Sequence, residues 1–158
     1  MYCHAAARAA ARTVVHYVLA GHAERYPDIA LIIPHAGGVV PLVADRVETF
    51  SAMNPETQSP PVPEILARFY YDLAVNAKPR NVAALLSLVG PERLLYGSDF
   101  PWAPPPLVLR AAAILDSTFE SRLGQPRRTL TTRNAATIFA SDRHARESVG
   151  TRGDLRVR

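Results

Sequence analysis

Cysteine is nearly absent from this chain. Cys3 stands alone among 158 residues, so no disulfide forms within the chain and a cysteine-based metal site is excluded. A reducing compartment follows as the default, and the expected location is cytoplasmic. No apolar run approaches the ~20 residues a membrane helix needs, so no membrane partner is expected. Acidic residues are missing before Glu24. That bias suits an organelle-targeting segment, yet the stretch holds no serine and runs directly into a helix the fold needs. Arg8, Arg12 and His16 interrupt any apolar core of a secretory signal. A focused basic stripe is missing too. The net charge is +4, with arginines spread along the chain, which reads as a solvated surface and not as a nucleic-acid interface. Nor is there a glycine-rich phosphate loop, a nucleophile elbow or a His-Glu-x-x-His motif.

What remains is enough for one domain with a real core: hydrophobic residues make up 48% of the chain. Two short segments carry the functional signal. One is Leu31-Ile32-Ile33-Pro34-His35-Ala36-Gly37-Gly38, the other Leu94-Leu95-Tyr96-Gly97-Ser98-Asp99-Phe100-Pro101. Each is an apolar run ending on one ionisable residue, then glycine or proline. The run suits a buried strand, and the punctuation suits a loop at its carboxyl end. In barrel enzymes that end carries the chemistry.

Around these segments the pattern alternates. Residues 5–26 read as a helix, with Ala7, Ala11, Val14, Val15 and Val18 on one stripe. A strand over 29–34 follows, then a helix with Leu42, Val43, Val47 and Phe50 on one side. Residues 54–63, with four prolines, read as a loop. A strand over 69–73 precedes a helix opened by Pro79 that buries Val82, Leu85, Leu86 and Val89. A third strand over 93–97 precedes a helix over 105–116. Asn134 suits the cap of a last short helix carrying Ile138 and Phe139. The division expected is a folded unit over 1–140 and a loose basic tail over 141–158. Regular helix–strand alternation predicts an α/β fold with parallel strands and helical crossovers.

These residues resemble the amidohydrolase-related family. The resemblance rests on Tyr26-Pro27-Asp28, His35-Ala36-Gly37-Gly38, Pro41 and Arg46. It continues through Phe69-Tyr70-Tyr71-Asp72, Leu95-Tyr96-Gly97-Ser98-Asp99-Phe100-Pro101 and Asn134-Ala135 to Phe139, covering about residues 13–140. More narrowly it is similar to the branch of aminocarboxymuconate-semialdehyde and 6-methylsalicylate decarboxylases. The resemblance implies the C-terminal part, about three βα units, of an incomplete TIM-type (β/α)8 barrel. It implies a divalent metal, usually zinc, and a small carboxylate substrate. His35 then matches the catalytic acid–base histidine ending the sixth strand. Asp99 matches the aspartate ending the eighth, a metal ligand and proton shuttle. The family's His-x-His on the first strand and its metal histidine on the fifth have no counterpart here. A whole barrel needs ~250 residues. The chain therefore reads as a C-terminal portion, with a missing N-terminal barrel half or a second copy as partner.

Each assignment has a plainer counterpart. Asp99 is either a metal ligand or a salt-bridged or capping aspartate. His35 is either a proton-transfer group or a buried histidine bonded to a carbonyl. Arg46 suits either a substrate carboxylate or a surface ion pair. Asp72 either supports the site or caps a helix. Trp102 either walls the pocket or packs under the proline-rich loop. His16 and His22, six residues apart and about 240° around a helix, do not face one metal. His4, His16, His22 and His144 are assigned to structure or surface. Nonoxidative decarboxylation is the leading reaction. Hydrolysis of an amide, ester or lactone is the alternative enzyme reading, and an inactive fragment or barrel-completing partner the non-enzymatic one.

Overall fold

The computed structural model describes residues 2–53, 60–74 and 78–150, with side chains over 9–53, 60–74 and 78–140. Helix α1 (Tyr2–Leu19) is followed by a single turn, α2 (His22–Arg25). The one helix predicted over 5–26 is thus broken. Gly21 breaks it at φ +70°, a left-handed conformation that glycine adopts without a Cβ penalty. Of the predicted stripe, Ala11, Val14 and Val18 are buried and Val15 is partly exposed, while the side chain of Ala7 lies outside the described residues; Arg12 is exposed.

Strand β1 (Ile32–Ile33) is cut short by Pro34, then a turn of 3-10 helix at His35–Gly37 leads into α3 (Val40–Ser51). The apolar side read on α3 is only partly turned inward: Val43 and Val47 are half-buried, Val47 against the core. Val40 and Ala44 are buried, whereas Leu42 and Phe50 stand 74% and 56% exposed. Helix α4 (Val62–Ala67) occupies the end of the predicted loop; residues 54–59 of that loop lie outside the described residues. Pro63 sits in the first turn of α4, where its missing N–H has no helical partner to lose.

Strand β2 (Tyr70–Asp72) and helix α5 (Pro79–Leu86) fall where the sequence places them, and a 3-10 turn at Pro91–Arg93 delivers β3 (Leu94–Leu95). Helix α6 (Pro105–Leu123) is longer than predicted and ends on Gly124 at φ +62°. Helix α7 (Arg127–Gly150) is one continuous element, so Asn134 lies inside it and does not cap it. The α7 backbone runs past Ser141, while residues 151–158 lie outside the described residues.

The strands form one sheet in the order β1-β2-β3, all parallel, with Ile32 opposite Tyr70, Tyr71 opposite Leu94 and Asp72 opposite Leu95. Connections between parallel neighbours must run back along the sheet, and α3–α4 and α5 do so. Tyr71 and Leu94 are fully buried in a core shared with Val82, Leu85, Leu115, Phe119 and Leu130 from the helices. Each such aliphatic side chain contributes about 1.5–3 kcal/mol by leaving water. Parallel pairing has one consequence for function: the carboxyl ends of all three strands lie at one end of the sheet. Among the described residues, no helix is long and apolar enough to cross a membrane.

Candidate active site

The chain leaves β1 through an unusual turn. His35, Ala36 and Gly37 hold φ at +55°, +56° and +76° in succession. A left-handed conformation costs a residue with a Cβ about 1–2 kcal/mol. The turn is held by bonds from Gly37 N–H to the Pro34 carbonyl (3.1 Å) and from Gly38 N–H to the His35 carbonyl (3.0 Å). It also rests on β2. A Cβ on Gly37 would lie 3.1 Å from Tyr71 Cε1, so only glycine lets this backbone settle on the ring. Tyr71 is itself fixed, its hydroxyl donating to the Leu66 carbonyl at 2.9 Å. Burial pushes the Tyr71 phenol well above its ordinary range, so it stays a proton donor.

Asp72 ends β2, and Oδ1 accepts the Ala74 N–H at 2.7 Å. That bond caps the strand's exit and leaves the other carboxylate oxygen against Gly97. Beyond β3, Asp99 holds φ +62°. Its carbonyl accepts the Ala103 N–H at 2.7 Å, and Ser98 Oγ accepts the Phe100 N–H at 3.2 Å. His35, Asp72 and Asp99 are all partly buried.

The topology therefore brings one imidazole and two carboxylates to the carboxyl ends of three adjacent parallel strands. Imidazoles and carboxylates are the side chains that general acid–base chemistry most often uses. Backbone strain at both His35 and Asp99 is what functional sites commonly carry. A cleft of about 710 Å³ opens at Asp72, lined also by Tyr96, Gly97 and side chains of α6 and α7, Arg127 and Arg128 among them. Asp72 lines it; His35, Asp99, Arg46 and Trp102 do not.

The remaining sequence candidates lie apart. Arg46 is exposed, its guanidinium carbon 5.1 Å from the centroid of the Phe50 ring, and it forms no ion pair among the described residues. Trp102 is 90% exposed, so it neither walls the cleft nor packs under the proline-rich loop. Sequence reasoning passed over Asn134 as a cross-link. Its buried amide donates to the Pro91 and Leu94 carbonyls, both at 2.8 Å, and pins the entry to β3. It also passed over Arg127, whose partner Asp116 sits on a different helix; no local spacing signals that pair.

Comparison with known proteins places this geometry. The amidohydrolase family matches residues 3–140, and the chain belongs to that family. It is 34% identical over 109 residues to a 6-methylsalicylic acid decarboxylase of Penicillium expansum, covering 67% of this chain and 34% of that protein. The apo crystal structure of Metarhizium anisopliae IDCase superposes with a TM-score of 0.71 at 21% identity, covering 84% of this chain and 39% of that one. A dihydroxybenzoic acid decarboxylase of Polaromonas sp. JS666, solved with manganese and 2-nitroresorcinol, gives a TM-score of 0.65 at 17% identity, covering 84% and 40%. These likenesses establish a partial α/β barrel. The chain spans about a third of the length of the curated relatives it matches.

A divalent metal accompanies this fold in the manganese-bound neighbour. A catalytic metal typically takes three protein ligands. Among the described residues, no three His, Cys, Asp or Glu side chains gather into such a set. His35, Asp72 and Asp99 share an end of the sheet without forming a metal centre by themselves.

Proposed function

We propose that this site manages the proton in nonoxidative decarboxylation of a small aromatic or unsaturated carboxylate. The bond between the substrate and its carboxyl carbon breaks, and the electron pair stays on the substrate carbon. Carbon dioxide leaves, and a proton held by His35 or Asp99 takes its place. The observation that carries this reading is the placement of His35 and Asp99 at the ends of parallel strands, both on strained backbone. Kinship with a 6-methylsalicylic acid decarboxylase supports the substrate class. Arg46, Asp72 and Trp102 are proposed only as flanking groups. Residues 1–140 form the barrel portion in this reading, 141–158 a basic extension, and the compartment is cytoplasmic.

The test is carbon dioxide release from 6-methylsalicylate by the purified chain with added zinc or manganese. His35→Asn and Asp99→Asn should each slow release by about 10²–10⁴-fold, the usual worth of a positioned acid–base group. Release that both variants leave unchanged contradicts the assignment.

A second reading is favoured because no three metal donors gather among the described residues. In it, Asp99 is one ligand of a zinc whose other donors come from a second polypeptide or a second copy, and this chain completes a barrel. Elemental analysis of folded protein separates the two. About one tightly held divalent metal per chain, lost in Asp99→Ala, supports a self-contained site. Metal-free folded protein supports the completing role.

A further inference from the structure

The left-handed backbone at Asp99, φ +62°, has to be held from outside. Downstream, the Ala103 N–H bond to its carbonyl does part of this. Upstream, the route from β3 to Asp99 passes through Tyr96, which is 37% exposed and not fixed by burial. A cation covers its ring: the guanidinium carbon of Arg127 lies 4.0 Å from the centroid.

Arg127 is only 5% exposed, and a buried guanidinium needs a partner. Asp116 supplies it with both oxygens, at 2.8 Å from Nε and 3.3 Å from Nη2. This two-pronged pairing is specific to the arginine fork; lysine offers a point charge instead. Asp116 belongs to α6, Arg127 opens α7, and Tyr96 follows β3. The contacts run from the helices to the strand end that leads to Asp99.

We infer that Arg127 is a positioning residue: anchored by Asp116, it clamps the Tyr96 ring and so holds the backbone that presents Asp99. It acts through Tyr96. The functional meaning of the clamp rests on the reading of Asp99 as a site residue; the clamp itself is tested without any activity.

Amide hydrogen exchange followed by NMR reads it directly. The Ala103 amide, buried and bonded to the Asp99 carbonyl, is the reporter. The Tyr70 amide, bonded to the Leu31 carbonyl at 2.9 Å across the other end of the sheet, is the reference. Arg127→Met should speed exchange at Ala103 by about tenfold or more through local opening, with Tyr70 held within about twofold. Arg127→Lys should fall between. Where Arg127→Met does not fold, Asp116→Asn, at a half-exposed position, gives the same contrast. Equal acceleration at both amides marks a general loss of stability and overturns the inference, as does an unchanged Ala103. If Ala103 responds while Asp99→Asn leaves decarboxylation untouched, the clamp stands and only its link to that reaction falls.

Discussion

The carboxylate of Asp72 lies directly against Gly97 on the neighbouring strand's exit. A Cβ at Gly97 would sit 2.9 Å from Oδ2, 3.0 Å from Cγ and 3.1 Å from Oδ1. Two of the three strand ends therefore touch, and they do so because position 97 has no side chain.

Gly97→Ala forces that carboxylate to move. Its Oδ1 bond to the Ala74 N–H resists the move, so the substitution should cost about 1–3 kcal/mol, as overpacking does. Chemical denaturation measures this. Removing the carboxylate as well, in Gly97→Ala with Asp72→Ala, should restore part of the loss. An unchanged unfolding midpoint in the single variant would show that Asp72 is not held in place.

Asn134→Ala removes two hydrogen bonds and leaves the Pro91 and Leu94 carbonyls without that donor. A buried group left unpaired costs about 1–3 kcal/mol. For a chain of this size each kcal/mol lowers the melting temperature by about 2–4 °C. Thermal unfolding checks it, and a melting temperature equal to the parent's would contradict the pinning role.

The Tyr71 phenol gives stability a pH signature. Burial raises its folded-state pKa above the ordinary value of 10.0. Below pH 10 both states keep the proton and the contribution is whole. Above it the unfolded chain ionises first, so stability falls as pH rises toward the higher folded value. Tyr71→Phe should show a smaller fall over that range in denaturant titrations. It should also be less stable at neutral pH, having lost the bond to the Leu66 carbonyl. Equal slopes above pH 10 would mean the phenol is not sequestered.

Gly37→Ala meets two obstacles at once: φ +76° and the Tyr71 ring 3.1 Å away. It should destabilise by more than the about 1 kcal/mol that an alanine in left-handed conformation costs by itself. Tyr71→Leu in the same chain should relieve only the steric part. Denaturation of the single and double variants separates the two terms, and a neutral single variant would contradict both.

The strand segments and their order were legible because apolar runs bounded by proline and glycine leave few alternatives. The candidate residues stood out for the same reason: His35 and Asp99 lie just beyond the ends of such runs. Strand length was not. The first strand is only Ile32–Ile33, with the Leu31 carbonyl adding one bond to Tyr70: Pro34 ends it, and its start depends on the neighbouring strand and not on local propensity. Asn134 precedes an apolar stretch and so reads as a cap. The helix in fact starts at Arg127, behind Pro126, and the amide is spent across the fold on β3. The prolines at 61 and 63 read as loop, although proline also suits a first helical turn. Left-handed backbone at His35 and Asp99 leaves no trace in composition, since neither is glycine. The clamp of Asp116, Arg127 and Tyr96 joins three elements, and such a contact exists only once they have packed.

Solvent isotope labelling follows the transferred proton itself. The chain is incubated with 6-methylsalicylate and a divalent metal in deuterated water, and the product is examined by mass spectrometry and NMR. Proton delivery by His35 and Asp99 predicts one deuterium on the carbon that lost its carboxyl group, with formation of that product depressed about 10²-fold or more in His35→Asn and in Asp99→Asn. A labelled product formed at the parental rate by both variants would contradict it, as would a product that keeps its carboxyl group.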